Sequence, residues 1–166
     1  MSTKNLSNTE AKKKIKELAE SIDFTMMATN LKIQPFHVIP MSTKEVDDAG
    51  NIWFLSNTNS EHNSNIEMAN KAQLIYADKG NFEFMSIYGN ASIITDNNRI
   101  KELYGSADDA WFDGVDDPNL TAIKVEPDIA YYWDTKNGKV LSLLKMVKGA
   151  ITGNEPDLGE QGDLKV

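Results

Sequence analysis

The chain has 166 residues, 40% hydrophobic and 25% charged, the balance of one globular domain and not of a disordered segment. Its 17 basic residues face 25 acidic ones, and the net charge of −8 repels nucleic acid and anionic lipid at long range. It has no cysteine, which excludes disulfides, thiolate metal sites and cysteine nucleophiles, and no apolar run reaches the roughly 18 residues of a membrane span.

The N-terminus is polar and lacks the apolar stretch of a secretory signal, so the expected location is cytoplasmic. No internal repeat and no long linker divides the sequence, and residues 1–166 read as one domain. Ser7-Asn8-Thr9-Glu10 reads as a capping box opening a helix over residues 7–22. Ala11, Ile15, Leu18, Ala19 and Ile22 would form its apolar stripe, with Lys12, Lys13 and Lys14 on a solvated face. Phe24 to Thr29 and Phe36 to Ser42 are strand-like, and Pro40 marks the second as an edge, a bulge or a strand end. Asp47 to Asn51 is a turn before a strand from Ile52 to Leu55. A polar stretch from Ser56 to Asn65 follows, with a short helix expected to begin near Ser60. Ala72 to Ala77 and Phe82 to Thr95 predict strands, the second bulged at Gly89. Asn97 to Tyr104 and Ala107 to Trp111 predict helices. Leu120 to Val125 and Ile129 to Asp134 predict two strands around Pro127. A last helix is expected over 139–148, then an acidic, glycine-rich tail over 152–166 with a short strand at Leu164. Many short strands with irregular helix spacing predict a mainly β protein, a barrel with flanking helices.

Few motifs carry chemistry. His37 and His62 lie far apart and lack metal-ligand spacing, and there is no nucleophile elbow, dinucleotide fingerprint or phosphate-binding loop sequence. The acidic residues from Asp108 to Asp117 do not match an EF-hand and read as turns and helix caps. The stretch from Ser56 to Asn65 follows a strand and opens a helix. Hydroxyls, amides and free backbone N–H groups there suit an anion, and His62 would add a charge-assisted bond. The same residues also suit a plain N-capping turn with Ser60 as the cap. Trp53 reads as core, whereas Trp111 lies beside acidic residues where a core role is less expected. Trp133 follows Tyr131 and Tyr132, so aromatics face both sides of one strand, one of them a candidate subunit interface.

The order of these pieces resembles the pyridoxamine 5′-phosphate oxidase-like split barrels, and within them the general stress protein 26 branch. The resemblance rests on Pro40-Met41 after the His37-bearing strand, on Gly50 to Asn57, and on Ser60 to Ile66. It continues through Ser86 to Ala91, Ala110-Trp111-Phe112, Asp116-Asp117-Pro118, and Ala130 to Asp134 with the acidic tail. It implies a six-stranded antiparallel split barrel of Greek-key type that dimerises, with FMN at the dimer interface. Ile39, Pro40, Met41 and Ser42, with Leu55, Ser56, Asn57, Ser60, His62 and Asn63, are the cofactor-binding positions it implies, joined by Trp111 of the partner subunit. Many relatives carry arginine before the Pro-Met pair and lysine at the His62 position, where this chain has Ile39 and His62. A lost charge-assisted hydrogen bond costs about 1.5–3 kcal/mol. Arg99 is the only arginine, so the substrate-binding arginines of a true pyridoxamine phosphate oxidase have no counterpart. The resemblance implies a flavoprotein, either an FMN-dependent oxidoreductase on a small molecule or a non-catalytic binder of flavin or a similar flat cofactor. No catalytic base and no metal site is assigned, and neither nucleic acid nor membrane is an expected partner.

Overall fold

The computed structural model describes residues 1–135 and 159–166; the helix expected over 139–148 and the start of the tail lie outside the described residues. Strands β1 (Ser2–Thr3) and β2 (Leu6–Ser7) precede helix α1 (Thr9–Ile22). An antiparallel pair follows, β3 (Phe24–Thr29) and β4 (His37–Ser42), then the short β5 (Glu45–Val46) and β6 (Ile52–Asn57). Helix α2 (Glu61–Met68) leads to β7 (Lys71–Asp78) and the long β8 (Glu83–Ile94). Helix α3 (Asn97–Leu103) and a 3-10 turn (Ser106–Ala110) come before β9 (Leu120–Asp134) and β10 (Glu160–Lys165).

The sheet runs β1-β10-β9-β8-β7-β3-β4, with β6 also paired to β9, β5 to β6 and β2 to β10. β9 is its axis. β8 lies along one side of it, while β6 takes the first half of the other side and β10 the second. The sheet does not close, because β4 approaches β6 without a ladder between them. The mainly β, split-barrel expectation therefore holds. Its six antiparallel strands are β3, β4, β6, β7, β8 and β9; four further strands are added, and β1 and β2 run parallel to β10.

Helix α1 fills the barrel. Ala11, Ile15, Leu18 and Ala19 form one stripe of its surface and pack into a cluster with Met27, Phe54, Leu74, Tyr76, Met85, Ile87 and Tyr132. Each large side chain so buried contributes about 1.5–3 kcal/mol. A second cluster joins Trp53, Leu55, Leu120 and Ala122 to Ile100 and Leu103 of α3. Trp53 is core, as expected, and the Arg99 guanidinium stacks 4.2 Å from the centre of its ring.

Several local expectations are corrected. The capping box at Ser7 does not form: Ser7 pairs with Lys165, Asn8 N–H donates to Lys165 O at 2.7 Å, and α1 begins at Thr9 without a side-chain cap. Lys14 is not on a solvated face but largely buried in an ion pair with Asp134, and it also reaches Glu17 at 3.2 Å. The strands expected on either side of Pro127 are one continuous strand. The irregularity expected at Gly89 is there, but the extra residue, Asp128, belongs to β9. A Cβ on Gly89 would lie 2.2 Å from Glu126 O, so only glycine lets the two backbones meet. The helix expected from Ala107 is the 3-10 turn. Among the described residues, no helix is long and apolar enough to cross a membrane.

Candidate functional site

The polar stretch after β6 makes a tight turn into α2. Asn57 O accepts from Ser60 N–H at 3.0 Å and Asn57 Oδ1 from Asn59 N–H at 2.8 Å. Ser60 caps the helix, its Oγ accepting from Asn63 N–H at 3.3 Å. The capping and anion-site readings are thus compatible. The first intrahelical bond runs from Ser64 to Ser60, so the amides of Glu61 and His62 stay outside the helix's own hydrogen bonds.

His62 lies half-buried at this helix start, with Nε2 3.0 Å from Ser60 Oγ. Burial chiefly lowers its pKa from the ordinary value; His37 lowers it further, and Glu61 opposes. His37 begins β4, and its ring stacks on His62 with centroids 6.5 Å apart and planes 10° from parallel. Its Nε2 lies 3.6 Å from Glu61 Oε2, and its Nδ1 is buried without a hydrogen-bond partner among the described residues. The structure thus joins two histidines that sequence spacing kept apart. Strand alternation was the available signal: His37 shares a face with Ile39 and Met41, while Val38 and Pro40 face out.

The remaining predicted positions divide. Met41 is buried and Ile39 half-buried against the core cluster, whereas Pro40 is exposed on the edge strand. Ser42 Oγ donates to Asp23 Oδ1 at 2.9 Å. Leu55 packs beneath α3, and Ser56 Oγ shares a 2.8 Å hydrogen bond with Thr121 Oγ1. Asn63 is only 2% exposed, and its amide donates inward to Thr121 Oγ1 at 3.0 Å. Its side chain serves the interior, so Thr121 is a supporting residue that the sequence reading missed. Trp111 is 83% exposed. Its turn is held by Asp108, whose carboxylate accepts Gly105 N–H at 2.8 Å and binds Lys44.

One face of the sheet carries exposed apolar side chains among the described residues. Met26 lies opposite both Pro40 and Ile75, Ile75 lies opposite Ser86, and Ser86 opposite Tyr131. Residues directly opposite share a face. Phe24, Met26, Val38, Ile75 and Ile129 are exposed on these strands.

Residues 10–157 match the family model described as pyridoxamine 5′-phosphate oxidase like. The chain belongs to this family. Protein bli-3 of Neurospora crassa is 25% identical over 141 residues, covering 78% of this chain and 68% of that protein. Among solved structures, a general stress protein 26 candidate from Jannaschia sp. superimposes with a TM-score of 0.79 at 24% identity, over 95% of this chain and 98% of that one. The general stress FMN/FAD binding protein of Xanthomonas citri gives 0.67 at 23% identity, over 80% and 94%. At these identities the structures establish the shared fold.

Proposed function

We propose that this family member is a homodimeric FMN-binding protein of the general stress protein 26 kind, with each flavin in the seam between two chains. The observation that carries this reading is the start of α2. Two uncommitted amides, the Ser60 hydroxyl and two stacked imidazoles converge there, beside an edge strand whose neighbouring face is apolar. Such donors suit a terminal phosphate, and the helix dipole adds to them. The donor set fits the phosphate end of FMN without lysine or arginine. The backbones of Ile39, Met41 and Ser42 in β4, with those of Leu55, Ser56 and Asn57 in β6, would line the flavin and its ribityl chain, since Met41, Leu55 and Ser56 commit their side chains to the interior. Pro40 sits on the face offered to the second chain, and the exposed Trp111 would reach the partner's flavin. The family membership and the FMN/FAD binding named for the Xanthomonas citri protein support the same assignment.

Bound flavin would supply redox chemistry; this chain's residues would hold and orient it and exclude water. A reductive role on a small molecule is part of the proposal, as is a cytoplasmic location, which a cysteine-free chain suits. The test is a titration of the purified protein with FMN, followed by flavin fluorescence and by gel filtration. Quenching with flavin co-eluting in a dimer peak is the expected result. Fluorescence unquenched at about millimolar protein would end the reading. Bleaching of bound flavin by NADH or NADPH then tests for oxidoreductase activity. Bound flavin that neither nicotinamide reduces would favour a carrier.

A further inference from the structure

Resting on the flavin reading, we propose that His37 and His62 form one paired grip for the 5′-phosphate, and that this pair makes the chain distinguish FMN from riboflavin. His37 was not among the positions the family resemblance supplied. It reaches the α2 start from a different element, since β4 begins at His37 and α2 at Glu61. The near-parallel rings lie 6.5 Å apart, and their Nε2 atoms sit beside Glu61 Oε2 and Ser60 Oγ, both at the start of α2.

An anion already neighbours this edge. The Glu61 carboxylate lies 3.6 Å from His37 Nε2, on a side chain 72% exposed. A carboxylate so weakly held can swing into solvent when a doubly charged phosphate arrives. His62 is fixed by Ser60. Ser60 Oγ lies 3.0 Å from His62 Nε2 and also accepts the Asn63 amide, and either the hydroxyl or the ring nitrogen can be the donor between them.

Charge decides how the pair behaves. Two stacked imidazoles repel when both are protonated, and a dianion beside their nitrogen-bearing edges offsets that repulsion. The charged groups acting on His62 are His37 from β4 and Glu61 from its own helix; β3 contributes uncharged Thr29 opposite His37. Among the described residues, no lysine or arginine bonds either ring. A phosphate held by both rings therefore favours their protonated forms, and a flavin lacking phosphate gains nothing from those protons. The preference for FMN should be strong in mild acid and fade as pH rises.

The test compares FMN and riboflavin affinities by fluorescence quenching at pH 6 and pH 8, in the wild type, His37→Gln and Glu61→Gln. The wild type should lose about tenfold of its FMN preference between the two conditions. His37→Gln should weaken FMN about tenfold at pH 6 and spare riboflavin. Glu61→Gln should bind FMN more tightly, because a competing anion is gone. In parallel, NMR titration of the histidine ring protons should show both pKa values rising when FMN is added. An FMN preference independent of pH, or equal weakening of both flavins by His37→Gln, would overturn the pair while leaving the flavin reading intact. Binding of neither flavin removes the flavin reading alone; inorganic phosphate then decides the grip, supporting it if both ring pKa values rise and overturning it if they do not.

Discussion

The Lys44 ammonium lies 2.9 and 2.7 Å from the two carboxylate oxygens of Asp108, pinning the 3-10 turn before Trp111 to the link between β4 and β5. With side-chain exposures of 19% and 13%, the pair is neither a surface contact nor fully buried. Breaking it should cost about 1–3 kcal/mol, between the limits for exposed and buried pairs. Lys44→Ala is expected to lower the melting temperature by several degrees in a circular-dichroism scan, and an unchanged melt would show the clamp to be energetically silent.

The apolar sheet face gives a second prediction. Ile75 is 50% exposed, so Ile75→Glu should leave the monomer's stability within about 0.5 kcal/mol of the wild type. In a face buried between two chains, the same carboxylate has no partner and dissociates them. Analytical ultracentrifugation should show a dimer for the wild type and a monomer for the variant. A variant that remains dimeric would move the interface elsewhere.

Gly89 supplies a third. Because a Cβ there would meet Glu126 O at 2.2 Å and its carbonyl carbon at 2.9 Å, Gly89→Ala must push β8 from β9. The expected loss exceeds about 2 kcal/mol in urea unfolding, against the small gain typical of replacing glycine in unstrained backbone.

Asp47 sets a pH dependence. Burial alone would raise its pKa, but hydrogen bonds from the Trp53 indole and from Asn51 outweigh burial and hold it below the ordinary value of 3.8. Trp53 Nε1 donates at 2.9 Å, and Asn51 donates its backbone N–H at 2.9 Å and its side-chain amide at 3.0 Å. A depressed folded-state pKa gives stability that is full above the unfolded value and lost as pH falls through the folded one. Wild type should therefore exceed Asp47→Asn in stability at pH 7, and the gap should narrow below about pH 4. A gap that stays constant down to pH 2 would show that the carboxylate's charge is irrelevant.

Much of this architecture was legible locally. Periodicity found the α1 stripe, Pro40 limited its strand to an edge, a bulge or an end, and the polar helix start offered Ser60 as a cap beside the anion-site reading. What failed were features fixed by distant chain. Ser7 reads as a cap until residue 165 takes its backbone into a ladder. Lys14 reads as solvated until Asp134 arrives from β9. His37 and His62 read as unrelated because nothing in linear spacing says that β4 begins against α2. Asn63 reads as a cofactor-binding position by resemblance, but spacing does not reveal that its side chain turns toward Thr121. The sequence thus offers the candidate site as a segment, while the juxtaposition of His37 and His62 emerges only from the fold.

The parallel pairing of residues 2–3 and 6–7 with β10 has a consequence for biosynthesis. These residues must wait for a strand far along the chain before they acquire ladder partners. That margin of the sheet therefore forms only after β10 has been synthesised, and a nascent chain stalled before residue 160 would display an unzipped border to chaperones.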